Sequence, residues 1–196
     1  MRDIAAQLTA IHRAVGTGPV EDGEGVSVLL RRTYDAHIED VWEAVTDPDR
    51  VKRWFLPLTG DLREGGTFQL EGNAGGDIVK CDPPRLLKVT FGGPSSRVEL
   101  RLSATDDEST VFELEHTVPI EMAGSGAGAL FVGPGWDGVL VGLGLFLAGE
   151  DGRDAVTGDH ARQSIDAWVA TVESSGTATP DEIAAGTAAA RAQFTG

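Results

Sequence analysis

His116 is the polar side chain whose position most invites chemistry. Phe112, Leu114 and His116 alternate with Glu113 and Glu115, so on a strand the histidine shares the face of two apolar residues. An imidazole there could act as a general base or hydrogen-bond a ligand, because it titrates near neutrality. The alternative is a core histidine satisfied by backbone or water, since no carboxylate is placed by sequence to orient it. Arg32 lies on one face with Val28, Leu30 and Tyr34. It either points inward, to meet a ligand carboxylate, or sits exposed at a strand end. Trp54, Phe55 and Trp136 are candidates for the wall of a cavity, with core packing as the alternative, and Trp42 leans further towards the core. Cys81 is the single cysteine; it allows no intramolecular disulfide and fits a small buried hydrophobe better than a reactive thiol.

Other chemistries are excluded by their missing patterns. There is no CxxC pair and no HExxH, and His12, His37, His116 and His160 are scattered, so neither a metal site nor a cofactor is expected. Gly124, Gly126 and Gly128 suggest a nucleotide loop, but Ala129 spoils the G-x-G-x-x-G spacing and no GK[ST] follows. That segment reads instead as a flexible loop gating a cavity. Ser125 is not in a G-x-S-x-G elbow, so no hydrolase triad is expected. A formal net charge of -15 argues against nucleic acid and anionic membranes as partners and serves solubility. The lone cysteine and the absence of an apolar run at the N-terminus predict a cytoplasmic protein. The most apolar stretch, Ala127 to Ala148, is interrupted by glycines, Pro134 and Asp137; it reads as a buried core helix rather than a membrane span.

The elements that would position these residues follow from periodicity. Ile4, Leu8, Ile11 and Val15 have helical spacing up to Gly16, and Gly16 to Gly25 reads as a linker. Val26 to Tyr34 reads as a strand. Ile38, Val41, Trp42 and Val45 mark one helix face, and Asp47-Pro48-Asp49 ends that helix and starts a short one carrying Val51, Trp54 and Phe55. From Leu58 to Val118, alternating runs are separated by Gly, Pro and Asp turns, including Asp106-Asp107, as in an antiparallel meander with one dry and one wet face. A helix after Gly133-Pro134-Gly135, carrying Trp136, Leu140, Leu143 and Leu147, is apolar on most sides and would cover the dry face. Gly142 and Gly144 weaken it, and the expected compensation is close approach of its backbone to the sheet or to a ligand. The tail predicts a helix striped by Ile165, Trp168, Val169 and Val172 and capped by Gly176, then an alanine-rich helix opened by Thr179-Pro180-Asp181-Glu182.

Tyr34-Asp35-Ala36, the run Val41 to Pro48, Arg53-Trp54-Phe55, Asp61 to Phe68, Glu115-His116-Thr117, and Gly135-Trp136 with Leu140, Leu143 and Leu147 stand in an order that resembles the START-like (SRPBCC) superfamily. Within it they resemble the branch named after activators of the heat-shock chaperone ATPase (AHSA1-like). The resemblance implies an α+β helix-grip fold like that of the birch pollen allergen. A curved antiparallel sheet of about six or seven strands would wrap a long C-terminal helix, and the extra helices read at both ends depart from the usual family members. The resemblance covers about Val26 to Gly149, so the chain is expected to divide into residues 1–25 (helix and linker), 26–150 (helix-grip domain) and 151–196 (helical extension). It also implies a hydrophobic cavity under the long helix, walled by Arg32, Trp54, Phe55, Phe68, Phe112, His116, Trp136, Leu140 and Leu143. The expected function is binding of a small hydrophobic or amphipathic molecule without catalysis, by a monomer or homodimer. The alternatives are a chaperone-interacting protein of the stress response and a polyketide cyclase or dehydratase.

Overall fold

The computed structural model describes residues 3–20, 23–106 and 108–195; the Glu21-Asp22 part of the expected linker and Asp107 of an expected turn lie outside the described residues. The architecture is α+β. The strands are β1 (His12–Val20), β2 (Gly23–Tyr34), β3 (Leu58–Gly60), β4 (Thr67–Leu70), β5 (Gly75–Asp82), β6 (Leu86–Thr90), β7 (Arg97–Ala104) and β8 (Thr110–Pro119). They form one eight-stranded sheet in the order β1-β2-β8-β7-β6-β5-β4-β3, antiparallel at each pairing from β3 to β7. The helices are α1 (Ile4–Thr9), α2 (Ile38–Thr46), α3 (Pro48–Trp54), α4 (Ile120–Ala123), α5 (Ala129–Leu147), α6 (Gly158–Ser175) and α7 (Pro180–Phe194).

The sheet is wider than the six or seven strands expected because of β1 and the three-residue β3. The expected N-terminal helix through Val15 is corrected. Asp3 caps α1, its carboxylate accepting from the N–H groups of Ala5 and Ala6, but the helix ends at Thr9. Beyond it Gly16, Gly18 and Pro19 are poor helix formers, and Val15, Thr17 and Val20 favour a strand. β1 lies at the edge of the sheet, where a proline is tolerated because no partner needs its missing N–H.

The chain forms two compact units, each discontinuous in sequence. Unit one holds Met1–Leu30, Thr117–Val141 and Asp154–Gly196; unit two holds Arg31–His116 and Gly142–Arg153. In unit one, the fully buried Trp168 of α6 lies against Gly133 of α5, where a Cβ would stand 2.4 Å from the indole ring. Gly176 ends α6 in the left-handed conformation, and Thr179 and Glu182 close a capping box over α7, as their residue types dictate. The glycine segment expected as a loose loop is instead a 3-10 turn over Gly126–Gly128, with the Gly126 N–H donating to the Thr177 carbonyl at 3.0 Å.

In unit two, the Asp47 carboxylate accepts from the Asp49 N–H and starts α3. The Trp54 indole N–H donates to the Ala44 carbonyl at 2.9 Å, joining α3 to α2. Gly142 does allow a close backbone approach, but its partner is Gly152: a Cβ on Gly142 would lie 2.7 Å from the Gly152 carbonyl oxygen. The return segment after α5 therefore runs directly against the helix backbone. α5 also starts earlier than expected, at Ala129, and contains Pro134. The segment Gly126–Leu147 is long and apolar enough to cross a bilayer, but 61% of its apolar window is buried within the protein, as in a core helix.

Candidate functional site

The dry face of the sheet in unit two is built by strict alternation. On β8, Phe112, Leu114 and His116 are 2%, 1% and 7% exposed, whereas Glu113 and Glu115 face water and pair with Arg101 of β7. Register extends the face: Leu87 stands opposite Leu100, and Val89 opposite Val98 on one side and Ile78 on the other. Beyond β6, Phe91 donates its backbone N–H to the Ser96 carbonyl at 2.9 Å. That bond closes the β6–β7 connection and sets Ser96 in the same row as Val98.

Ser96 is buried, and its hydroxyl oxygen lies 2.8 Å from His116 Nε2. The imidazole meets the Phe91 ring edge-on, with centroids 5.8 Å apart, and Phe91 stacks on Phe68 at 6.3 Å. Burial pushes the His116 pKa down to about 4, so the ring is neutral at neutral pH and the pair with Ser96 is an uncharged hydrogen bond. A second group lies on the same face. The Arg32 guanidinium sits 5.0 Å from the Tyr34 ring centroid, and Tyr34 meets Phe112 edge-on at 5.8 Å. Arg32 is 6% exposed, and burial pushes the Tyr34 hydroxyl above its ordinary range against the pull of Arg32. In a third group, Trp54 stacks on Phe55 at 5.5 Å and on Phe146 at 6.4 Å.

The nine residues singled out from sequence thus divide. Phe68 and His116 fall together around Phe91 and Ser96; Arg32 and Phe112 fall together around Tyr34; Trp54 and Phe55 gather on Phe146. Leu143 is fully buried in unit two, whereas Trp136 and Leu140 belong to unit one. Sequence reasoning missed Ser96 and Phe91. Phe91 stands two residues after Val89 and Ser96 two residues before Val98, and that alternation is the signal that could have found them.

Unit one holds a different polar cluster, also missed. Asp137, in the middle of α5, is 0% exposed. Its carboxylate accepts two N–H bonds from Arg13 of β1 at 3.0 Å and a third contact at 3.1 Å, the hydroxyl of Ser164, and the indole N–H of Trp168 at 3.1 Å. Arg13 is itself held by the carbonyls of Leu8 and Ile11 at 2.9 Å each. Burial pushes the Asp137 carboxyl up while these donors pull it down. Among the described residues no cluster of His, Cys, Asp and Glu could hold a metal ion.

A family model described as Activator of Hsp90 ATPase homolog 1-like protein matches residues 35–146. The crystal structure of CalU16 from Micromonospora echinospora is 41% identical with a TM-score of 0.70, over 83% of this chain and 98% of that one. The solution structure of the protein encoded by gene BPP1335 from Bordetella parapertussis is 27% identical with a TM-score of 0.57, over 72% of this chain and 84% of that one. DynU16, described as a putative protein in the dynemicin biosynthetic locus, shares the fold at 24% identity and a TM-score of 0.57, over 66% of this chain and 50% of that one. No curated protein matches.

Proposed function

This chain belongs to the Activator of Hsp90 ATPase homolog 1-like family, and from that premise we propose that unit two binds a small hydrophobic or amphipathic molecule on the dry face of its sheet, without catalysis. The helix-grip fold of the family supports a ligand-binding domain. The observation that carries the reading is the Ser96–His116 pair, a neutral hydrogen bond set beside Phe91 and Phe68 on an otherwise apolar surface. A packed core gains nothing from a histidine there, because burying a polar group offsets what its hydrogen bond returns. A ligand hydroxyl or carbonyl can exchange hydrogen bonds with the pair without any charge being stranded. Arg32 would offer a charged contact to a ligand carboxylate.

The test is thermal melting with medium-chain alcohols, medium-chain fatty acids and matched alkanes. A ligand of the native state stabilises it by about 2.7 kcal/mol at one hundred times its dissociation constant. Saturable stabilisation is expected, strongest for chains carrying an oxygen. His116→Leu should weaken an alcohol by about 1 kcal/mol and leave an alkane unchanged, because only the alcohol loses a hydrogen bond. If no compound in a broad apolar set shifts the melt, the binding reading fails and a chaperone partner becomes the next candidate to pull down.

A further inference from the structure

The tail of unit one carries an open groove of 570 Å³ between α6 and α7, lined by Val169, Ile183, Ala184, Ala188, Glu173 and Arg191 among others. We propose that this groove is the contact between two copies of the chain, which pack α7 antiparallel against α7 about a two-fold axis. The proposal is independent of the ligand reading for unit two.

The argument begins with shape. Ala184 and Ala188 are one helical turn apart and exposed, and small side chains at that spacing let a second helix approach closely. Val169 and Ile183 supply the apolar floor. Charge then selects the occupant. Glu173 is exposed on the last turns of α6, near the start of α7, and its carboxylate makes no ion pair among the described residues. Arg191 lies near the other end of the groove on the last turn of α7, 60% exposed and only loosely paired with Asp166 at 3.6 Å. A groove with an acid at one end and a base at the other is complementary to itself under a two-fold rotation. Residue i of one copy meets residue j of the other, and j meets i. Glu173 of one copy therefore faces Arg191 of the second, twice. A partner of uniformly basic or acidic character would match only one end.

The test uses two single variants and their mixture, at about 0.15 M salt, where the Debye length of about 8 Å confines the repulsion between chains of charge -15. Sedimentation of the parent up to about 100 μM, a concentration that populates a micromolar dimer, should show association towards twice the 20.6 kDa of one chain. Glu173→Arg alone sets arginine against arginine at both ends; Arg191→Glu alone sets glutamate against glutamate. Each should weaken self-association at least about tenfold, with the melting of the monomer unchanged for Glu173→Arg and only slightly lowered for Arg191→Glu, which gives up its exposed pair with Asp166. Mixed in equal amounts, the two variants have both pairs restored, and a heterodimer should form with the parent's affinity. A parent that stays monomeric overturns the proposal. So does a dimer indifferent to both variants, or a mixture that fails to associate.

Discussion

Each compact unit buries polar groups, and the two do so by opposite means. In unit one the Asp137 carboxylate is filled from every side by donors of the same chain: the fork of Arg13, the Ser164 hydroxyl and the Trp168 indole. β1, α5 and α6 are thereby tied at one point. In unit two the Ser96–His116 pair is neutral and lies among aromatic rings. The first arrangement is strong, charged and committed, and any exchange would leave a buried ion behind. The second is uncharged, so the loss of its hydrogen bond to another partner would strand no charge. A buried polar group is therefore not by itself a sign of a binding site; what matters is whether its loss to another partner would strand a charge.

The largest expected effect breaks the charged cluster. Asp137→Ala leaves the Arg13 guanidinium buried without its partner, and chemical denaturation should show a loss of about 3–5 kcal/mol. Arg13→Met should cost a similar amount. The double variant Arg13→Met with Asp137→Leu should lose much less than the two single losses together, because neither charge is then stranded. Additive losses would mean that the pair contributes packing only.

Next in size is the pH response of unit two. Free histidine titrates near 6.5, whereas His116 in the folded protein titrates at about 4. Between those values the unfolded chain binds a proton that the folded one refuses. The stability is present in full above pH 6.5 and is lost as pH falls towards 4, by about 3 kcal/mol at the end of that window. Carboxylates titrate at its acid end, so the measurement is the difference between the parent and His116→Leu from pH 7 to pH 5. The parent should lose stability relative to the variant. A constant difference would show that the imidazole is hydrated and charges freely, which would remove the contrast between the two units.

What the sequence revealed beforehand follows how local each signal is. Asp47 with Pro48, and Thr179 with Pro180 and Glu182, act within one helical turn, and the helices begin where those residues require. The alternation of Phe112, Leu114 and His116 with two glutamates placed the dry face correctly. β1 escaped because its edge pairing lies outside its own window, while Ile4, Leu8, Ile11 and Val15 imitate a helix. The Asp137 cluster escaped because Arg13 stands 124 positions away in the chain. An aspartate inside the most apolar stretch of the molecule was visible, but nothing nearby named its partner. The division of the nine candidate residues among separate groups was equally hidden, since spacing along a strand fixes a face and not the neighbours on it.

The smallest effects separate two glycines of α5, one turn apart. At Gly142 a Cβ would stand 2.7 Å from the Gly152 carbonyl oxygen, a backbone atom that cannot move alone. Gly142→Ala should therefore lower stability by about 1–3 kcal/mol through strain. At Gly138 a Cβ would meet nothing within 4 Å, and the helix backbone there suits alanine. Gly138→Ala should raise stability by about 0.4–1 kcal/mol, because it removes freedom from the unfolded chain and leaves the folded contacts as they are. Thermal melts of the two variants beside the parent are sufficient, since opposite signs are expected from the same substitution in the same helix. If both destabilise, the helix needs its glycines for a reason other than the approach of Gly152. If both stabilise, the return segment does not press on α5, and the account of Gly142 as a notch for that segment is wrong.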